Sequence, residues 1–274
     1  MPKPAINPEM SSLFMDFAQY FELSLAVTPE QKALVYSVRY SVYCEEFGYE
    51  DPDAFHNNCE TDDFDDQSIH CLVMHKSSGL PAGCVRLVTV GEGDGMPMES
   101  HCKGSLDEAF FNNFENKRAT MAEISRLAVE GNFRRRRGES ATRFGNTSSL
   151  HFAAREERTF SLIAVSLFLA AAACADLVRR RDCFAIMEPF LPEILRRTGI
   201  VVKRVGGDFD YKGVRAPYYL NIDEAVRAAP DELRLCYEVV RSQFAEVLAP
   251  DGERKASRGQ ESSPLLQPGM ISVA

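Results

Sequence analysis

The chain lacks the features expected of a nucleic-acid-binding, secreted or membrane protein. Acidic residues outnumber basic ones by 40 to 31, giving a net charge of −9, whereas binding a polyanion needs a basic face. The N-terminus, MPKPAINPEM, has no basic segment followed by an apolar one, so no secretory signal is predicted. An uncharged apolar run at 160–175 is shorter than the roughly 20 residues of a membrane span. We therefore expect a cytoplasmic protein with no nucleic-acid partner and no transmembrane segment.

Patterns that bind metal are also missing. None of the eight cysteines forms a C-x-x-C pair, which argues against a zinc ribbon or a thioredoxin-like motif. The five histidines show no metal-binding spacing, and the acidic run ETDDFDD lacks the glycine of an EF-hand loop. We expect no metal and reduced, mostly buried thiols.

The length of 274 residues suits one large α/β domain with short appendages. Residues 20–27 alternate as in a strand, and a helix is predicted from 28 to about 47. Thr28 is placed to cap that helix, with Gln31 three residues later, and Gly48 is expected to end it.

The remaining pattern predicts a mixed central sheet flanked by helices. Further strands are predicted at 70–75, 82–90, 120–129, 183–187, 200–205 and 216–222. Further helices are predicted at 105–114 (capped by Ser105), 160–175 (buried in the core), 190–197 and 230–248. We expect an N-terminal extension at 1–19, one domain at 20–249 and a disordered tail at 250–274, which is rich in Pro, Gly and Ser.

Several charged residues interrupt apolar strands. Arg86 lies in GCVRLVTV, and Glu123 and Arg126 lie in MAEISRLAV. Strand alternation puts Glu123 and Ser125 on one face and Arg126 on the other, unless a bulge intervenes. Because an unpaired buried charge costs several kcal/mol, these groups are paired, face solvent or line a pocket. A charge network that only holds the acidic loop 50–66 to the sheet is an equal alternative to a functional pocket.

The order and spacing of these residues resemble the acyl-homoserine-lactone synthases. The pattern is similar to the long-chain N-acyl amino acid synthases too, and most of all to the acyltransferases associated with PEP-CTERM/exosortase systems. It covers roughly residues 20 to 225, including an R-R-R-R-G turn after the strand with Glu123. The matching positions are Arg39, Tyr43, Phe47, Tyr49, Glu60, Asp62, Phe64, Asp65, the run from Gly83 to Leu87, Glu123, Ser125 and Arg126.

The resemblance implies a GNAT (acyl-CoA N-acyltransferase) fold and an acyltransferase activity. It places Glu123, Glu60 and Arg126 in the catalytic centre. It also implies an acceptor site formed by Arg39, Tyr43, Tyr49, Asp62, Asp65, Arg86 and Ser125. Tyrosines stand where the lactone synthases have phenylalanine and tryptophan, and an insert lies at about 139–159, which argues against a lactone product.

Amide formation needs a group that removes a proton from the attacking amine. An α-amino group titrates near 7.7–8.0 and is mostly protonated at neutral pH, and a positioned carboxylate contributes typically about 10²–10⁴-fold. Glu123 and Glu60 are the candidates, and Glu123 is preferred because a strand holds it more rigidly than a loop. Backbone N–H groups from Leu127 to Val129 are expected to stabilise the charge on the thioester carbonyl. No cysteine is assigned as a nucleophile.

The donor is expected to be an acyl thioester of phosphopantetheine, with no tightly bound cofactor. The basic turn Arg134, Arg135, Arg136 and Arg137 fits either a donor-binding loop or a solvated turn. Together with 179–181, it is also suited to attract the acidic surface of an acyl carrier protein, and we favour this docking role.

Three functions follow from these observations. The first is an N-acyltransferase that moves a fatty acyl group from an acyl carrier protein or coenzyme A to the amino group of an amino acid or a related small amine. The second is an acyl-homoserine-lactone synthase that uses S-adenosylmethionine. The third is a catalytically silent GNAT-like module that binds an acyl carrier or regulates a polysaccharide-export system. The joint presence of the acids and arginines argues against the third.

Overall fold

A computed structural model describes residues 8–91, 95–114, 116–134, Glu156 and residues 159–248. Their strands form one mixed sheet in the order β1-β2-β3-β4-β5-β8-β6, with β7 paired to β8. All neighbouring strands are antiparallel except β4 and β5. The strands are β1 Phe21–Leu25, β2 Ser68–His75, β3 Pro81–Thr89, β4 Met121–Val129, β5 Asp182–Met187, β6 Lys203–Arg204, β7 Phe209–Asp210 and β8 Val214–Asn221.

Helices cover both faces of this sheet, in keeping with the continuous burial of consecutive residues along β2 and β3. On β2, Cys71 and Val73 pack against the helices of one face, while Leu72 packs against α2 on the other. The helices are α1 Pro8–Tyr20, α2 Pro29–Tyr40, α3 Pro97–His101, α4 Glu108–Phe111, α5 Ser161–Leu177, α6 Leu191–Arg197, α7 Ile222–Ala228 and α8 Asp231–Leu248. The prediction of a mixed central sheet flanked by helices is confirmed.

The predicted helix start at Thr28 is also confirmed. The Thr28 hydroxyl accepts a hydrogen bond from the Gln31 N–H, and the Gln31 side chain accepts one from the Thr28 N–H. After α2 the chain continues as a π-helical turn, Ser41–Glu46, and Gly48 follows with a φ of +63°. Tyr43, within this turn, contacts Leu127 of β4.

The apolar run predicted as a core helix is α5. Its residues are buried around nearly the whole helix, because it packs between the sheet and α8. None of the helices in the described parts of the chain is long and apolar enough to cross a bilayer.

Close packing of α5 on β3 requires a glycine at position 83. A Cβ at Gly83 would lie 2.8 Å from the Ala128 carbonyl oxygen and 3.1 Å from side-chain atoms of Ile163 and Leu167. We expect Gly83→Ala to destabilise the fold by about 1–3 kcal/mol, the usual cost of overpacking a core. Urea denaturation checks this, with Gly207→Ala as the control, since nothing lies within 4 Å of a Cβ there. Equal stability of the two variants would contradict it.

Two predicted elements are shorter than expected. Ser105 does not cap a helix; α4 begins later and is capped by Asp107, whose carboxylate accepts from the Phe110 N–H. Ser105 lies in a turn that another segment holds in place: the Ser105 carbonyl accepts from the Gly207 N–H, and Leu106 forms an isolated β-bridge with Gly206. Of the strand predicted at 200–205, only Lys203–Arg204 joins the sheet.

Other elements were not predicted. Helix α1 lies within the expected N-terminal extension, α3 lies within an expected loop, and β7 and α7 flank β8. The expected tail at 250–274 and most of the insert at 139–159 lie outside the described residues, and the predicted domain limits stay a prediction.

Candidate active site

A cavity of about 950 Å³ opens where β4 and β5 separate. The two strands pair only from Met121 to Glu123 on β4 and from Asp182 to Phe184 on β5. Beyond this point both continue and line the cavity, β4 with residues 124–129 and β5 with residues 185–187. The volume lies in the range of ordinary ligand sites.

A β-bulge in β4 directs Arg126 towards the cavity. Arg86 pairs with Ser125 and Cys84 pairs with Ala128, so β4 has one residue more than β3 between these pairs. Arg126 takes up the difference with a φ of +51°. As a result Arg126, Glu123 and Ser125 all line the cavity, which strict alternation would prevent.

Three arginines and three acids form a network beneath the cavity. Arg39 is ion-paired with Glu60 and with Asp65 at 2.6 Å. Arg86 is ion-paired with Asp62 and, at 2.8 Å, with Asp65. Arg126 Nη2 lies 3.0 Å from Asp62 and 3.2 Å from Glu60. Each predicted residue of the acidic run is therefore brought to an arginine that the sequence singled out.

Asp65 is the centre of this network. Burial alone raises the pKa of Asp65, but the hydrogen bond and charge of Arg39, with the charge of Arg86, outweigh it and lower the pKa to about 2. Asp65 therefore stays ionised and holds two guanidinium groups in fixed positions. Arg39, which is 0% exposed, does not line the cavity, and its ion pairs connect α2 to the acidic loop.

Three guanidinium nitrogens of this network have no hydrogen-bond partner in the described parts of the chain. They are Nη2 of Arg39, Nη2 of Arg86 and Nε of Arg126, and all three are buried. The side chains of Arg86 and Arg126 line the cavity, whereas that of Arg39 does not. Because an unsatisfied buried donor costs about 1–3 kcal/mol, these atoms are suited to an ordered water.

Glu123 is the buried carboxyl group of the cavity wall. It is 2% exposed and accepts a hydrogen bond of 2.7 Å from the Met98 N–H in the first turn of α3. Burial raises the pKa of Glu123 to about 7, although Met98, Arg86 and Arg126 act in the opposite direction. A carboxyl group with this pKa is suited to accept a proton near neutral pH.

Glu60, the other candidate base, is placed differently. It is buried but does not line the cavity. Arg39 pairs with one of its carboxylate oxygens and Arg126 with the other. The geometry therefore favours Glu123 as the base, and the catalytic role of Glu60 stays a prediction.

Two tyrosines from the turn after α2 lie in the cavity wall. The rings of Tyr43 and Tyr49 are stacked with centroids 6.3 Å apart, and the Tyr43 hydroxyl donates to the Leu127 carbonyl at 3.0 Å. Arg126 lies 5.8 Å from the centre of the Tyr43 ring. Tyr43, Tyr49 and the segment Leu127–Val129 thus line the same cavity.

The other end of the cavity is apolar. It is lined by Phe133, Phe160, Ala164, Phe168, Ala185, Met187, Phe190, Leu191 and Ile194. These side chains come from the segment after β4, from α5, from β5 and from the start of α6. An apolar end beside a charged end fits a substrate that has a hydrocarbon chain and a polar reacting group.

Several cavity residues were not predicted from the sequence. His101 at the end of α3 stacks on Tyr211 from the turn between β7 and β8. Lys212 in the same turn is ion-paired with Glu50. In the sequence, the motif DYKG at 210–213 indicates a turn and nothing more. The contacts of this turn with His101 and Glu50 leave no pattern along the chain.

The basic groups expected to bind the donor or its carrier have several partners of their own. Arg134 lines the cavity and is ion-paired with Glu46, while Arg135, Arg136 and Arg137 lie outside the described residues. Arg180 donates to the carbonyls of Val90 and Arg118, which fixes it structurally. Of 179–181, only the exposed Arg179 and Arg181 are placed for docking, and Arg181 is also paired with Asp176 and Asp223.

The Cys84 thiol is not activated as a nucleophile. Burial raises the pKa of Cys84, which lies beneath the cavity, to about 12. Among the residues that the structure describes, no three His, Cys, Asp or Glu side chains are grouped to hold a metal ion.

Comparison with known proteins gives a consistent picture of the fold. Residues 38–143 match the family model described as acetyltransferase (GNAT) domain. No curated protein matches the chain.

Solved structures of 12–18% identity resemble it in fold. TofI in a ternary complex with an inhibitor and MTA has a TM-score of 0.54 at 18% identity, covering 78% of this chain and 99% of its own. FeeM, an N-acyl amino acid synthase from uncultured soil microbes, has a TM-score of 0.50 at 12% identity, covering 76% and 94%. BjaI, a CoA-dependent acyl-homoserine lactone synthase with SAM and isopentyl-CoA, has a TM-score of 0.50 at 16% identity, covering 81% and 89%. The chain therefore has the GNAT fold, and the match of residues 38–143 to an acetyltransferase domain supports an acyltransferase activity.

Proposed function

We propose that this chain is an N-acyltransferase that moves a fatty acyl group from a phosphopantetheine thioester to the amino group of an amino acid or a related small amine. The observation that carries the proposal is the position of Glu123. This buried carboxyl group, with a pKa of about 7, lies in the wall of a cavity that is apolar at one end and rich in arginine at the other. The structural likeness to a synthase of N-acyl amino acids supports it.

In the proposed reaction the acyl chain lies in the apolar end and the acceptor lies beside Glu123. The amine nitrogen attacks the thioester carbonyl, Glu123 takes the amine proton, the C–N bond forms and the C–S bond breaks. The proton then passes to the leaving thiolate. Backbone N–H groups of Leu127–Val129 stabilise the negative charge on the carbonyl oxygen.

The arginine network positions the acceptor in this proposal. Asp62 and Asp65 fix the guanidinium of Arg86, and the Ser125 hydroxyl accepts from Arg86 Nε at 3.1 Å. Arg126 is held by Asp62 and Glu60. The guanidinium groups of Arg86 and Arg126, which line the cavity, then donate to oxygen atoms of the acceptor.

The donor in this proposal is an acyl carrier protein or coenzyme A. The exposed Arg179 and Arg181, with the turn that begins at Arg134, are the proposed docking groups for an acidic carrier. A place in a PEP-CTERM/exosortase system is a further part of the proposal and is supported by the sequence resemblance alone.

The product decides between the three functions. The full chain is expressed in a bacterial host, and extracted lipids are compared with those of the empty host by mass spectrometry. We expect new acyl amides of an amino acid or small amine, and the purified protein should form them from the thioester with release of free thiol. Acyl lactones would instead indicate a synthase that uses S-adenosylmethionine. No new product and no thiol release would overturn the proposal in favour of a silent module.

A further inference from the structure

The turn between β7 and β8 places two side chains at the polar end of the cavity that the proposed chemistry does not use. They are Tyr211 and Lys212. The turn is tight: the Tyr211 N–H donates to the Gly213 carbonyl at 3.0 Å. Lys212 and Gly213 have left-handed backbone conformations, with φ of +56° and +98°. The turn therefore presents both side chains from a fixed backbone.

Tyr211 is held against the helix that orients Glu123. Its ring stacks on His101 with centroids 4.2 Å apart and an angle of 29°, and its hydroxyl oxygen lies 3.3 Å from His101 Nε2. His101 is the last residue of α3, whose Met98 N–H donates to Glu123. The Tyr211–His101 pair is thus connected to the proposed base through one short helix.

Lys212 attaches the same turn to the opposite side of the polar end. Its ammonium group is ion-paired with Glu50, whose carboxylate lies 3.9 Å from Arg126 Nη2. Further along β8, Arg215 is ion-paired with Glu188 at 2.6 Å and lies 5.5 Å from the centre of the Tyr49 ring. The β7–β8 hairpin therefore contacts two parts of the site: α3, which carries the Met98 N–H bound to Glu123, and Glu50, which lies next to Arg126.

We propose that Tyr211 is a specificity-determining residue that sets the largest acceptor the enzyme uses. The inference rests on the proposed N-acyltransferase function, because an amine that reaches Glu123 must fit beside the Tyr211–His101 pair. Stacking and the Lys212–Glu50 ion pair keep that wall in place. Acceptors with a small side chain fit within it, and acceptors with a bulky one meet the Tyr211 ring.

The test is a competition between acceptor sizes. Transfer to glycine, L-leucine and L-tryptophan is measured for the full-length protein with the acyl thioester that it accepts, as kcat/KM. We expect the wild type to prefer glycine to tryptophan. Tyr211→Ala should raise the tryptophan-to-glycine ratio by about tenfold or more, the usual size of discrimination by pocket shape.

Four further variants make the test specific. His101→Ala removes the other ring of the pair and should change the ratio in the same direction, which keeps the test decisive if Tyr211→Ala does not fold. Tyr211→Phe retains the ring and should keep the wild-type ratio. Lys203→Met, an exposed residue of β6 that does not line the cavity, is the matched control for Lys212→Met, which should raise the ratio.

The outcomes separate this inference from the function on which it rests. Equal wild-type rates for glycine and tryptophan, or an unchanged ratio in Tyr211→Ala and His101→Ala, would overturn the role of Tyr211 and leave the N-acyltransferase function intact. If no amine accepts an acyl group from any thioester, the proposed function itself fails.

Discussion

Glu123→Gln should reduce acyl transfer by about 10²–10⁴-fold, the usual contribution of a positioned general base, and at the same time stabilise the fold above neutral pH. Glutamine keeps the size of the side chain and an oxygen that accepts the Met98 N–H, but it takes no proton from the amine. The loss should appear in kcat, because Glu123 acts on the reacting proton and not on the remote parts of the substrates.

The stability gain follows from the raised pKa of Glu123. Its pKa is about 7 in the folded chain against an ordinary value of 4.5. Between these two pH values the folded state holds a proton that the unfolded state has lost, so stability falls as pH rises through this window. The full cost above pH 7 is about 3 kcal/mol at 1.36 kcal/mol per pH unit. Glu123→Gln removes this cost at pH 8 and changes little at pH 4.5.

Urea denaturation at pH 8 and pH 4.5 tests the predicted gain in stability. Initial rates of acyl transfer test the predicted loss of activity. Glu22→Gln makes the same change at an exposed position of β1 and should alter neither the stability nor the rate of acyl transfer. In the wild type, kcat at saturating acceptor should decline as pH falls below about 7, because Glu123 becomes protonated. Full activity of Glu123→Gln across this range would exclude Glu123 as the base.

The elements that bear strong local signals were predicted well from the sequence. Helix α2 follows from the Thr28 capping box, and α5 follows from a run of apolar residues too short to span a membrane. Short elements were predicted poorly because distant partners decide them. Ser105 is kept out of a helix by the segment at Gly207, which no local pattern around Ser105 reveals.

In the candidate site, too, some features could be predicted from the sequence and others could not. The arginines and acids of the network could be predicted because charge within an apolar strand is visible in the sequence. The side on which Arg126 points could not, because a bulge of one residue decides it and strict alternation gives the opposite face. His101 and Tyr211 come from segments 110 residues apart whose only relation is their contact.

Asp65→Asn should destabilise the fold by about 3–5 kcal/mol, as the removal of one partner from a buried ion pair usually does. Asp65 carries the negative charge shared by Arg39 and Arg86, and its other oxygen accepts the Asp62 N–H at 2.8 Å. Asparagine keeps one acceptor but leaves the two guanidinium groups with one anion fewer. Activity should fall as well, because Arg86, which lines the cavity, loses one of the two carboxylates that fix its position.

The loss should depend on pH in a direction opposite to that of Glu123. The pKa of Asp65 is lowered from 3.8 to about 2, so its ionised form stabilises the fold fully above pH 4 and less as pH falls towards 2. About 2 kcal/mol of the difference between wild type and variant should therefore disappear over this range, at 1.36 kcal/mol per pH unit. The adjacent, exposed Asp66 provides the control, since Asp66→Asn removes a carboxylate from the same loop without a buried partner. Equal urea midpoints for the two variants at pH 7 would mean that the network is not held together at Asp65.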